Sequence, residues 1–187
     1  MSLTFHAIAI APAISALKNA HAFISKGHQH ALANNIDPET YLAASLHPDM
    51  KDFRFQIYRA TDAIKFVPPR INPALQDMTL PDEEKTFEEL LARIEKTIKY
   101  LEGFSVQDFE GTEGNEVVLK LAAMGKQIRS PALEYVVRFA HPNMWFHLVT
   151  AYDILRMKGV DVGKFDFLNG AKSFVVEDLQ QQQQQQQ

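Results

Sequence analysis

The feature that most limits what this chain can fold into is the segment opening at Thr86-Phe87-Glu88-Glu89. Its spacing fits a capping box, in which the threonine oxygen accepts one free backbone N–H and a glutamate reaches back to another. Phe87, Leu90, Leu91, Ile94, Ile98 and Leu101 then form a core-facing stripe at helical spacing. Gly103 is placed to end that helix in the left-handed conformation.

Other stretches repeat the pattern. From about Leu3 to Leu32, the residues Ile10, Ile14, Leu17, His21 and Ile24 recur every three or four positions, with Pro12 bending or starting the helix. After the turn cluster Asn34-Asn35-Ile36-Asp37, Pro38 suits the first position of a short helix through Ala44. Between Asp49 and Val67 the stripe is Phe53, Ile57, Ala60, Ile64 and Val67, and Pro68-Pro69 is expected to stop the helix. Its opposite face carries Arg59 and Asp62.

Residues 70–82 lack periodicity and read as a loop. From Phe104 to Ser130, Val117, Leu119 and Leu121 alternate with Val118, Lys120 and Ala122 among glycines, which predicts an irregular or short hairpin excursion. Pro131 opens a helix to Phe139 and Pro142 another to about Lys158. A break near His141 and a single bent helix are the two alternatives. The run from Val160 to Leu168 reads as an extended apolar tail packing across the helices. Gln180 to Gln187 has no apolar face to offset the entropy of ordering. The division expected is a helical domain over 1–170 and a disordered tail over 171–187.

The 187 residues, 46% of them hydrophobic, suffice for one core. A formal net charge of -4 lacks the basic footprint that nucleic acid requires. The absence of cysteine excludes disulfides, thiolate nucleophiles, thiolate zinc sites and iron–sulfur clusters. The start has neither the charged nor the apolar region of a secretory signal, and no window approaches the roughly 18 apolar residues of a membrane span. A cytoplasmic protein with no membrane partner is expected.

The string Pro142-Asn143-Met144-Trp145-Phe146-His147 continues through Leu155-Arg156 and Gly159-Val160 to Gly163-Lys164 and Asp166-Phe167-Leu168. Together with Asp49-Met50, Phe53, Gln56, Ala60, Asp62, Phe87, Glu89-Leu90 and Arg93-Ile94, it resembles a domain-of-unknown-function branch of the DinB-like superfamily, at times labelled helix-turn-helix proteins. The resemblance runs from the first helix to about Leu168. It implies an all-α four-helix bundle, often a homodimer. In better-known members it also implies a divalent metal held by three histidines, two as His-x-x-x-His on the last bundle helix and one on the second. Some members use the metal in thiol-dependent transfer or isomerisation. The matching positions here are Asn143, His147 and Gln56, so one imidazole stands beside two amides. Amide oxygens are weak neutral donors that rarely hold a transition metal. The implied metal site is therefore degenerate, a divalent metal is disfavoured and no cofactor is expected.

Position alone also pairs Asn143 with His147, since residues four apart share a helix face. The candidates for lining a ligand pocket are Gln56, Asn143, His147 and His21, of which the first three are also the metal candidates. His21 lies on the apolar stripe with Leu17 and Ile24, and either meets His147 inside the bundle or is satisfied by polar neighbours. His28-Gln29-His30 fits an exposed helix end. Asp49 and Asp52 suit a helix N-terminus electrostatically. Asp153 and Arg156 suit a surface pair one turn apart, and Trp145 and Tyr152 suit core or interface aromatics. No residue is assigned a catalytic role. Two functions compete: a small-molecule-binding protein, with enzymatic activity left open, and a non-catalytic dimeric scaffold. DNA binding is disfavoured by the acidic balance.

Overall fold

Helix α6 (Phe87–Glu102) begins where its cap places it. Thr86 Oγ1 accepts from the Glu89 N–H at 3.2 Å, and Glu89 Oε2 accepts from the Thr86 N–H at 3.1 Å. Such a cap contributes about 1 kcal/mol. Gly103 departs from expectation: its φ of -75° is right-handed, and its N–H donates to Tyr100 O at 3.2 Å. The helix thus ends in a tightened turn rather than a left-handed one.

The computed structural model describes residues 3–121 and 125–178. Ala122 and the glutamine run lie outside them. Helices α1 (Phe5–Ala9) and α2 (Ala11–Ala33) meet at Ile10, with Pro12 in the first turn of α2, where its missing N–H costs nothing. After α3 (Glu39–Leu42) comes α4 (Phe53–Lys65), capped by Asp52, whose Oδ1 accepts from the Phe55 N–H at 3.0 Å. Pro68 and Pro69 do not end helical structure: they sit inside α5 (Val67–Ile71), again near a helix start.

Strands β1 (Glu116–Leu121) and β2 (Lys126–Pro131) pair antiparallel, with Val117 opposite Ser130 and Leu119 opposite Ile128. Val117 and Leu119 are the buried members of the alternation. Helix α7 (Ala132–Tyr135) runs through a π turn (Val136–Ala140) into α8 (His141–Met157) without a break. The segment after Gly163 is helical rather than extended: α9 (Lys164–Asn169) is capped by Asp166 Oδ2, which accepts from the Gly163 N–H at 2.7 Å.

Helix α4 packs on α8 and α6, and α2 packs on α6, α8 and α9. The shared core includes Phe23, Ile24, Phe53, Ile57, Ile64, Ile94, Met144, Leu148 and Leu155. Each such side chain contributes roughly 1.5–3 kcal/mol on burial. Gly27 lets α8 approach α2, because a Cβ there would lie 2.8 Å from Leu155 Cδ2.

Residues Phe5–Ala33 together are long and apolar enough to cross a membrane by length and composition alone, with a mean hydropathy of 1.3 over 18 residues. Lys18, Asn19, Lys26 and four histidines interrupt the run, so it is not uninterruptedly apolar, while its alanines raise the average. Half of that window is buried inside the protein.

Two surface assignments also change. The His28 ring stacks on Phe87 with centroids 5.3 Å apart, and His30 Nδ1 meets the Tyr41 hydroxyl at 2.9 Å, so this helix end is packed. Arg156 pairs with Asp161 rather than Asp153. Beyond α9, Asn19 Oδ1 accepts from the Ala171 N–H at 3.0 Å and Asn169 Oδ1 from the Phe174 N–H at 2.8 Å.

Candidate functional site

Two polar places interrupt this core. At the first, the Asp52 cap sets the start of α4 so that Gln56, 2% exposed, points at α8. Its Nε2 donates to Lys51 O at 2.9 Å, which turns Oε1 toward His147 Nδ1, 2.8 Å away. An amide oxygen only accepts, so Nδ1 carries the imidazole proton and Nε2 presents its lone pair. Nε2 has no partner among the described residues. Phe55 and Phe146 contact the ring edge-on, at centroid separations of 6.2 Å and 5.2 Å. Burial, together with the Arg59 charge, pulls the His147 pKa down to about 4. The imidazole is neutral at physiological pH.

Asn143 lies one turn earlier on α8, half-buried, and makes no side-chain hydrogen bond among the described residues. His21 does not join this place. Its Nε2 sits 2.9 Å from Glu95 Oε1, a half-exposed pairing across α2 and α6, so the alternative in which His21 meets His147 is corrected. The stripe placed it correctly in phase with Leu17 and Ile24, but at the edge of the stripe, where an acidic neighbour satisfies it.

The residues present do not fit a transition-metal centre. One imidazole faces the place, the Gln56 oxygen is already occupied by the imidazole proton, and a guanidinium stands close enough to oppose a cation. No group of three or more His, Cys, Asp or Glu residues suited to a metal ion occurs among the described residues.

The second place was missed from the sequence. Arg93 of α6 has a fully buried side chain, and all five of its N–H groups are used. Nε donates to Thr61 Oγ1 at 2.8 Å; Nη1 donates to Pro81 O at 2.7 Å and to Glu84 Oε2 at 3.1 Å. Nη2 donates to Asp62 Oδ1 at 3.2 Å and to Asp82 Oδ1 at 3.1 Å. The guanidinium also lies 4.9 Å from the centre of the Tyr58 ring. Asp62 and Asp82 each turn their other oxygen to Arg59 Nη2, at 2.9 Å for Asp62. Lys65 Nζ adds a 2.7 Å contact to Asp62. The available signal was an arginine falling on the α6 stripe between Leu90 and Ile94, facing a loop rich in acids.

Fold and site together define a helical protein of the DinB-like superfamily, in its domain-of-unknown-function branch. The chain belongs to the family Domain of unknown function (DUF1993), whose model matches residues 5–168. It is similar to the crystal structure of a DinB family member protein from Shewanella denitrificans, at 30% sequence identity and a TM-score of 0.80, over 92% of this chain and 94% of that one. No curated protein matches it.

Proposed function

We propose that this chain is a small-molecule-binding four-helix bundle, formed by α2, α4, α6 and α8, in which hydrogen-bonding amides have replaced metal ligands. The observation that carries this reading is the 2.8 Å bond from His147 Nδ1 to Gln56, which joins α8 to α4 and leaves a neutral imidazole with its Nε2 lone pair free. Such a nitrogen accepts a hydrogen bond from a ligand hydroxyl or N–H. The aromatic rings of Phe55 and Phe146 supply apolar contact beside it.

Restoring ligands tests whether Gln56, Asn143 and His147 converge as a degenerate metal site. The double change Gln56→His and Asn143→His presents three imidazoles, and calorimetry should then detect zinc binding that the parent lacks. His147→Ala in that background should abolish it. A double variant that folds and binds zinc no better than the parent would falsify the placement.

A second reading, a homodimeric scaffold in the cytoplasm, is favoured by Trp145, Phe146 and Val149, which lie 37%, 58% and 43% exposed on α8. Apolar side chains clustered at a helix surface suit a partner face. Under this reading Phe146→Glu converts a dimer to a monomer in sedimentation velocity; a parent that is already monomeric rejects it.

A further inference from the structure

We propose that residues 173–178 pair with the same segment of a second copy of this chain, as a two-stranded antiparallel ribbon centred on Val175. The segment follows α9, where Lys172 turns the chain at a left-handed φ of 55°. Phe174, Val175 and Val176 are 68%, 88% and 69% exposed, and Val175 is the most exposed large apolar side chain among the described residues. An apolar run shown to water in this way marks an interaction surface.

The segment is held in place rather than left loose. Buried Asn19 accepts from the Ala171 N–H, and buried Asn169 accepts from the Phe174 N–H at 2.8 Å while its Nδ2 donates to Phe174 O at 3.1 Å. Asn169 thus occupies both backbone groups of Phe174, as a neighbouring strand would. Along an extended chain the backbone groups of successive residues point to opposite edges. Those of Val175 therefore face away from Asn169, and they have no hydrogen-bond partner among the described residues. The side chains alternate in the same way: Lys172, Phe174 and Val176 line a groove of about 390 Å³ with Phe165, and Val175 does not.

The order of residues selects the occupant. With Val175 laid antiparallel against the partner's Val175, Phe174 falls opposite the partner's Val176 and Lys172 opposite the partner's Asp178, each contact occurring twice. Val175 then exchanges both backbone bonds with its counterpart across the edge that is free. The flanking pairs are the non-hydrogen-bonded ones, whose side chains come closest. An aromatic ring against a β-branched residue, and an ammonium against a carboxylate, are both favourable there. Centring the ribbon on Phe174 instead would require backbone groups that Asn169 already holds. So short a ribbon makes a small interface, and the dimer exchanges with monomer. Neither His147 nor the exposed face of α8 takes part, so the inference stands apart from both readings above.

The chain has no cysteine, so one introduced thiol reports only its own surroundings. Under mild oxidation the full chain carrying Val175→Cys is expected to form a disulfide-linked dimer, since hydrogen-bonded antiparallel partners have Cα atoms about 5.5 Å apart, within disulfide reach. Val176→Cys, displaced diagonally from its counterpart by about 7–8 Å, should cross-link roughly tenfold more slowly or worse. In sedimentation velocity at rising concentration the parent should dimerise. Val175→Pro, which removes the central N–H and leaves the Asn169 bonds in place, should weaken the dimer roughly tenfold or more. Lys172→Asp should weaken it less, and Asp178→Lys added to that variant should restore it. Equal cross-linking at positions 175 and 176, or a charge swap that restores nothing, rejects the register and with it the proposal. A parent that stays monomeric, or a dimer that survives Val175→Pro or is lost in Phe146→Glu, places any contact elsewhere and overturns it equally.

Discussion

The places around Gln56–His147 and around Arg93 are both polar gaps in one apolar core, both anchored on α4, and they are finished in opposite ways. Arg93 is saturated: five donors meet five acceptors, and the charges around it largely cancel. His147 keeps one nitrogen satisfied and one bare, with neutrality enforced by burial and by Arg59. The charged cluster holds structure together and has little left to offer a ligand at Arg93 itself. The sparse pair contributes less to the fold and keeps its lone pair available.

That contrast can be broken by substitution. Arg93→Met should destabilise the protein by roughly 3–5 kcal/mol in denaturant unfolding, because Asp62, Asp82 and Glu84 lose their common cation and stay partly buried. A loss below about 1 kcal/mol would mean that water reaches those carboxylates. Gln56→Leu should cost less, about 1–3 kcal/mol, since it strands one imidazole N–H and removes no charge.

The smallest effect is pH-linked. The folded pKa of His147, about 4, lies below its ordinary value of 6.5, so the unfolded chain takes up the proton first as pH falls. Stability is complete above about pH 6.5 and declines between there and about pH 4. His141, also lowered by burial, contributes in the same direction. The His147 share is the difference between the parent and His147→Gln. For a partly exposed ring it is discounted to about 1 kcal/mol. Parallel unfolding curves for the two proteins across that range would show that His147 is not shielded as described.

Much of the fold was legible because local chemistry decided it. The Thr86 box and the Phe87 to Leu101 stripe fix α6 without help from the rest of the chain, and the alternation at Val117 and Leu119 does the same for the hairpin. Pro68-Pro69 misled because proline ends a helix only from its interior, and here a new helix starts around it. The helix α9 was hidden by its shortness: six residues carry too little periodicity to show.

At the site, Gln56 and His147 entered through resemblance to a family, since spacing can pair Asn143 with His147 but cannot reach across helices. Arg93 shows the converse limit. A charge on an apolar stripe announces that partners exist, but those partners came from α4 and from a loop with no pattern of its own.

That loop is tethered in a one-sided way. Tyr100 donates to Gln76 O at 2.6 Å, its phenol pushed up to about 12 by burial and by Asp77 and so reliably protonated. Lys65 reaches Leu80 O, Arg93 holds Pro81 O, and Tyr58 holds Glu84 O. Every tether ends on an oxygen, a backbone carbonyl or the Asp82 carboxylate, while from Gln76 to Asp82 no backbone N–H donates a hydrogen bond among the described residues. Order and amide protection are therefore uncoupled along this stretch: its path is fixed by oxygens, so a protease meets a chain that does not readily adopt an extended strand. Its amide hydrogens, bonded to nothing, trade with deuterated solvent at close to the pace of an unfolded peptide.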